Sequence, residues 1–254
     1  MTDLILTHVE SGVRVIRINR PDKKNALIGE MYQALAEAFE GGEADSETGV
    51  FLLRGSETDF TAGNDLPDFL TWDKLSGSVA DRFIRAVAGA KKPVVAAVRG
   101  AAMGVGATIL PHCDLVYAAP GTKFLTPFIN LGIVPEAASS QTLPALAGHR
   151  KAAEMLLLGE PFGVETALAI GLINAVVPGE ELEAFALAQA AKLATKPRAT
   201  LLMIKQLMKT PAEPVMDRLT REALVFDACL KRPELKEAVA AFAEKRPPDF
   251  SKCR

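Results

Sequence analysis

Three stretches of this sequence combine residue types that could do chemistry. In Asp59-Phe60-Thr61-Ala62-Gly63-Asn64-Asp65-Leu66 a glycine sits in a polar loop that follows an apolar run. Glycine frees the backbone, and successive N–H groups of such a loop can converge on one point. An ordinary loop with a Gly-Asn turn explains the same residues. In Arg99-Gly100-Ala101-Ala102-Met103-Gly104-Val105-Gly106-Ala107-Thr108 a glycine-rich turn leads from an apolar run into an apolar helix. Its glycine spacing fits neither a dinucleotide fingerprint nor a phosphate loop. The free N–H groups of a helix start favour an anion, although close helix–strand packing calls for the same small residues. In Leu131-Gly132-Ile133-Val134-Pro135-Glu136-Ala137-Ala138-Ser139-Ser140 one carboxylate stands among apolar and small residues. Desolvation there would raise its pKa and suit it to proton transfer near neutral pH. A first-turn Glu stabilised by its own helix N-terminus is the alternative.

His112-Cys113-Asp114 suggests a Cys–His pair, but sequence neighbours rarely face one another productively, and a core cysteine is the simpler reading. The Gly-x-Ser-x-Gly entry to serine hydrolases is absent. His8, His112 and His149 lie far apart, and Cys113, Cys229 and Cys253 form no Cys-x-x-Cys pair, so no zinc-ligand spacing can be assembled.

Apolar periodicity predicts the elements that must position these stretches. Strands are expected over Leu4 to His8, Val13 to Asn19, Val50 to Arg54, Val94 to Val98 and Leu115 to Ala118, with short ones at Lys123 to Leu125 and Ala175 to Val177. Helices are expected over Gly29 to Phe39, Val79 to Ala90 and, after Ala137, almost throughout: Glu181 to Ala194, Pro197 to Met208, Val215 to Leu230 and Pro233 to Lys245. The segment Gly100 to Gly106 reads as one turn opening a helix that reaches about Leu110. The order implies an α/β core with a helical C-terminal extension.

Composition excludes several classes. Lys+Arg 29 against Asp+Glu 31 gives a net charge of -2, without the basic surplus of a nucleic-acid binder. Aromatics at 6% make a base-stacking platform unsuitable. The longest apolar stretch, Gly100 to Pro111, is well short of a membrane span, and Asp3, His8 and Glu10 interrupt any secretory signal. A cytoplasmic protein without membrane or nucleic-acid partner is expected.

Taken together and in order, four segments resemble the crotonase superfamily, the enoyl-CoA hydratase/isomerase fold. They are Asn19-Arg20-Pro21-Asp22-Lys23-Lys24-Asn25-Ala26-Leu27, Ala62 to Leu66, Gly100 to Gly106 with Cys113-Asp114, and Leu131 to Glu136. The resemblance covers essentially the whole chain. Gly63-Asn64-Asp65-Leu66, Thr126-Pro127-Phe128 and Pro135-Glu136 look most like the peroxisomal-type Δ3,Δ2-enoyl-CoA isomerases.

That resemblance implies a spiral of β-β-α turns, an acyl-CoA thioester substrate, a place in fatty acid metabolism and no metal or redox cofactor. It implies a core over 1–195 and a helical oligomerisation region over 196–254, giving a homotrimer or a dimer of trimers. The backbone N–H groups of Asn64 and Val105 would form the oxyanion hole, and Glu136 would be the single base. Thr108 and Phe128 occupy the positions where hydratases of the family keep two glutamates, which speaks for double-bond isomerisation. Another thioester reaction, or acyl-CoA binding without chemistry, remains the alternative. Ala26, Leu27, Ala62, Gly63, Asp65 and Leu66, together with Gly104, would line the CoA path. Lys23, Lys24 and a neighbour's Lys245 would meet its phosphates, although a solvated surface charge explains each lysine too, and for Lys245 is the better reading.

Overall fold

The computed structural model describes residues 3–253; Met1, Thr2 and Arg254 lie outside the described residues. In chain order come β1 (Ile5–Glu10), β2 (Val13–Ile18), α1 (Gly29–Ala44), β3 (Val50–Arg54), α2 (Leu66–Phe69), α3 (Val79–Ala88), β4 (Val94–Val98), β5 (Ala101–Met103), α4 (Val105–Thr108), β6 (Leu115–Ala118) and β7 (Lys123–Leu125). Then follow α5 (Ser139–Ala153), α6 (Val164–Ala169), β8 (Ala175–Val176), α7 (Leu182–Ala194), α8 (Arg198–Lys209), α9 (Val215–Leu230) and α10 (Pro233–Ala243).

The main sheet has the order β1-β2-β3-β4-β6-β8. Only β1 and β2 run antiparallel; the other neighbours are parallel. Such strands are covered on both faces and read as continuous apolar runs, as Val94-Val95-Ala96-Ala97-Val98 does. On one face α1 presents Met31, Leu35 and Phe39, and α3 presents Phe83 and Val87, against Ile16, Phe51, Leu53 and Val94. The spacing of four along α1 puts its apolar residues on one stripe. On the other face α7 sets Leu182, Ala186 and Ala190 against Val15, Leu52, Val95 and Ala97. This is the expected α/β core, followed by helices alone.

Two expectations need correction. The helix expected to stop at Phe39 continues to Ala44 through Gly41-Gly42, a pair that reads as a stop. It continues because the Phe51 ring lies where a Cβ at 42 would fall, so glycine lets α1 settle on the sheet. The segment read as one turn, Gly100 to Gly106, contains β5, which pairs with β7 in a second, two-stranded sheet. Three residues carry no usable periodicity, so only long-range pairing reveals this strand.

Both glycine-containing loops leave carboxyl ends of neighbouring parallel strands, the first after β3 and the second after β4. In open α/β sheets that edge is where ligands bind.

The tail is tied down at its start. Lys205 of α8 is 5% exposed, and its Nζ donates to the Lys92 carbonyl (2.7 Å) and pairs with Asp114 (2.6 Å), whose carboxylate also accepts from the Val94 N–H. Beyond it, α9 buries no residue: Val215 and Leu224, 73% and 67% exposed, face outward. Among the described residues no helix is long and apolar enough to cross a membrane.

Candidate active site

The two loops are fastened edge to edge. The Thr61 N–H donates to the Ala101 carbonyl (2.9 Å), and the Met103 N–H donates back to Thr61 (2.9 Å). On the other side Leu27 bridges Asn64: its N–H donates to Gly63 (2.8 Å) and its carbonyl accepts from Asp65 (2.9 Å). Thr61 Oγ1 donates to the Asn25 carbonyl and accepts from the Gly63 N–H. The fully buried Asn25 amide donates to Asp59 and Phe60.

This pairing brings Gly63 and Gly104 into backbone contact; a Cβ on Gly63 would fall 2.8 Å from the Met103 carbonyl. Gly104 adopts φ 55° and ψ −120°, a conformation closed to other residues without strain. Each glycine precedes one of the proposed donors. The Asn64 and Val105 N–H groups have no acceptor among the described residues. Val105 begins α4 and keeps a negative φ, so its β-branched side chain costs its backbone nothing here.

Glu136 is brought to the same place by another device. Ala137 and Ala138 both take left-handed backbone (φ 52° and 53°), unusual for residues with a Cβ. Ser139 fastens the turn, giving its N–H (3.0 Å) and Oγ (2.6 Å) to the Glu136 carbonyl. His112 supports it from α4's side: its Nε2 lies 2.7 Å from the Ala137 carbonyl, which can only accept, so Nε2 carries the proton. Because α5 starts at Ser139, the Glu136 carboxylate does not cap that helix. Its Oε1 accepts from the Thr108 hydroxyl instead, and Oε2 is buried without a partner. Burial pushes the carboxyl up to about 7, with the Thr108 hydrogen bond opposing.

Asn64, Phe69, Trp72, Phe128, Val134 and Glu136 are among the residues lining one cavity of about 690 Å³. Asp73 and Asp81 also reach it, but Asp73 is exposed and Asp81 is held ionised by the Gly77 N–H and Arg85. Among the described residues Glu136 is thus the one carboxylate that the cavity desolvates. Phe69, Leu70 and Trp72 line its apolar end, whereas Phe83, on the neighbouring α3, packs in the core against Tyr32 and Phe39.

The stretches assigned to the CoA path gather beside the first loop. The Lys24 carbonyl accepts from Ala62, and Arg20 donates to both Ala26 (2.9 Å) and the Asp65 carboxylate (2.8 Å). Asp65 is held below the usual carboxylate range chiefly by Arg20 and caps α2, which is a positioning role. Leu66, Lys23, Lys24 and Lys245 are exposed. His112 does not pair with Cys113, whose thiol burial pushes up to about 12. No group of three His, Cys, Asp or Glu side chains is placed to hold a metal among the described residues.

Sequence reasoning missed Tyr32. Its hydroxyl donates to the Asn64 side-chain oxygen, and its ring packs edge-on to Trp72 at 5.7 Å. In sequence it is one more large residue beside the apolar stripe of α1, and nothing local marks it. Thr108 was noted only for what it is not; its bond to Glu136 emerges from the fold.

Comparison with known proteins places this geometry. The profile described as enoyl-CoA hydratase/isomerase matches residues 8–253. The 1,2-epoxyphenylacetyl-CoA isomerase of Escherichia coli K12 is 35% identical over 261 residues, covering 99% of each chain. Enoyl-CoA delta isomerase 2 of Rattus norvegicus is 32% identical, over 96% of this chain and 64% of the rat protein. A solved structure described as an enoyl-CoA hydratase/carnithine racemase from Magnetospirillum magneticum AMB-1 is 76% identical, with a TM-score of 0.98 over 99% of this chain and 100% of that one.

The raised carboxyl has a thermodynamic signature. Between pH 4.5, the ordinary glutamate value, and about 7 the native state holds a proton that the unfolded state has released. Stability therefore falls as pH rises through that window. Urea unfolding of the parent and Glu136→Gln should show the parent losing ground to the variant from pH 4.5 to about 7, then a constant difference. A difference independent of pH would mean that Glu136 ionises normally.

Proposed function

The chain belongs to the enoyl-CoA hydratase/isomerase family, and from that premise we propose that it moves a C3 double bond to C2 of a fatty enoyl-CoA. The observation that carries this reading is the single desolvated carboxylate, with one oxygen unpartnered, in a cavity shared with Asn64. Proton removal beside a thioester puts negative charge on its oxygen, and the free Asn64 and Val105 N–H groups suit that oxyanion. Preorganised donors of this kind supply about 2.7–4 kcal/mol each in the transition state. Glu136 Oε2 takes a proton from C2, the double bond shifts through the enolate, and the same carboxyl returns the proton at C4. One carboxyl serves both steps because C2 and C4 lie on the same side of a short conjugated system. Water addition in this family would call for a second carboxylate, and Thr108 and Phe128 offer none. No metal or redox cofactor enters the proposed reaction, and we place the protein in the cytoplasm.

Ala26, Leu27, Ala62, Gly63, Asp65, Leu66 and Gly104 form the proposed CoA path, with Lys23 toward its phosphates. The apolar exposure of α9 supports an oligomerisation region over 196–254, joining copies into a trimer or a pair of trimers.

Four experiments test this reading. Glu136→Gln should still bind acyl-CoA but isomerise 3-enoyl-CoA about 10²–10⁴ times more slowly, followed by absorbance of the conjugated thioester. The parental kcat/KM should rise with pH and level off above about 7, because only the ionised carboxyl accepts a proton. Parental speed in the Gln variant would place the base elsewhere, and release of free CoA would mean hydrolysis instead.

Val105→Pro removes one donor, and proline is tolerated at the first position of a helix. Turnover should drop by about 10²–10³. Unchanged turnover would show that this N–H does not hold the thioester oxygen. Deleting the chain from Val215 onward should leave aggregated or inactive protein by size-exclusion chromatography; a fully active monomer would exclude the tail as the assembly region.

A further inference from the structure

The Thr108 hydroxyl has two acceptors and one proton. It lies in hydrogen-bond contact with Glu136 Oε1 and 3.2 Å from the Gly104 carbonyl. That carbonyl belongs to the same peptide unit as the Val105 N–H. It already accepts from the N–H groups of Ala107 (2.9 Å) and Thr108 (3.0 Å). Thr108 is fully buried, so no solvent competes for the hydroxyl.

We propose that Thr108 is a positioning residue that couples the protonation of Glu136 to the strength of the Val105 oxyanion donor. With Glu136 ionised, the hydroxyl donates to its carboxylate. Once Glu136 Oε2 has taken a proton, Oε1 is a neutral and weaker acceptor, and the Thr108 proton turns toward the Gly104 carbonyl. Donation to a peptide carbonyl polarises that peptide and strengthens its N–H as a donor. The Val105 N–H thus strengthens when the proton has left the substrate and the enolate oxygen carries charge. No atom is gained or lost: the substrate's proton stays on Glu136 Oε2 and the hydroxyl proton stays on Thr108, and only the direction of the hydroxyl changes. This inference rests on the oxyanion reading given above and goes beyond it by linking base and hole.

Other groups around Glu136 do not offer the same link. Tyr32 from α1 is held far above its usual range by burial and by Glu136. His112 is pushed below its usual value by burial and gives its proton to the Ala137 carbonyl. Asp73, Lys74, Asp81 and Arg85 also line the cavity, Asp81 and Arg85 paired with each other.

The test compares the parent, Thr108→Val and Thr108→Ser, each with 2-enoyl-CoA labelled with carbon-13 at the thioester carbon. In the parent the infrared stretch of the bound thioester should move to lower frequency as pH falls through the Glu136 titration. Thr108→Ser should keep that movement, and Thr108→Val should lose most of it, leaving only the field effect of the carboxyl's charge. Thr108→Val should also move the acid limb of kcat/KM to higher pH and lower kcat by about ten- to a hundredfold, the weight of a hydrogen bond to a charged group. Serine should restore both. If the stretch moves equally in Thr108→Val and parent, the coupling is overturned while isomerisation by the parent leaves the functional reading intact. If the parent binds the labelled thioester but does not isomerise 3-enoyl-CoA, the functional reading itself fails.

Discussion

The parallel pairing of Thr61 with the Ala101–Met103 strand fixes everything else about the site. Two hydrogen bonds, Thr61 N–H to Ala101 and Met103 N–H to Thr61, hold loops that leave neighbouring strands of the main sheet. The register of that pairing puts Gly63 against Gly104, and the next residue on each side turns an unpaired N–H outward. A slip of one residue would turn those amides into the ladder and fill the contact with Cβ atoms. Asn25 and Thr61 guard the register from beneath, since both sit fully buried with hydrogen bonds that only this alignment satisfies. Buried polar side chains left unpaired cost about 1–3 kcal/mol each, so misalignment is heavily disfavoured.

The carboxylate is placed by strain rather than by sheet. Consecutive left-handed alanines at 137 and 138 cost on the order of 1–3 kcal/mol each, held by Ser139 and His112. The strained turn delivers Glu136 to a site where one oxygen finds Thr108 and the other finds nothing. That orphaned oxygen is a cost to folding, and the burial that leaves it alone raises the carboxyl to about 7, as the proposed base requires. The sheet supplies stiffness for the proposed N–H donors, and the strained turn supplies reach for the proposed proton acceptor.

Much of this was legible before folding. The runs that became β2, β3, β4 and β6 are long enough, and apolar enough, for periodicity to mark them, and α9 was placed to the residue. Glu136 stood out because its sequence neighbours are apolar, although Ile133 and Val134 are themselves exposed and its raised pKa comes from burial within the fold. What escaped were features whose cause is long-range. The Ala101–Met103 strand is too short to show a period, and α1 runs through two glycines only because Phe51 lies beneath. Tyr32 looks like any core aromatic until Asn64 arrives from 32 residues away. Phe83 is as aromatic as Trp72 in sequence, yet it is buried in the core while Trp72 lines the cavity.

Thr108 bears on the proposed reaction through the charge it does not carry. A second carboxylate at that position would lie in hydrogen-bond contact with Glu136. Two like charges so close cannot both ionise near neutral pH, and the pair would titrate as a unit. Such a pair can hold and split a water molecule between its members. A hydroxyl neither adds charge nor accepts a proton at neutral pH, so Glu136 titrates alone. In the proposed reaction the site then takes one proton from the substrate and gives the same proton back. The proposed double-bond shift needs only a group that takes one proton and returns it, whereas water addition must also hold and orient the attacking water, the task for which a second carboxylate would serve. The Phe128 ring is on the wall of the same cavity, Asp81 is paired with Arg85 and Asp73 is exposed, so among the described residues no second desolvated carboxylate lines it.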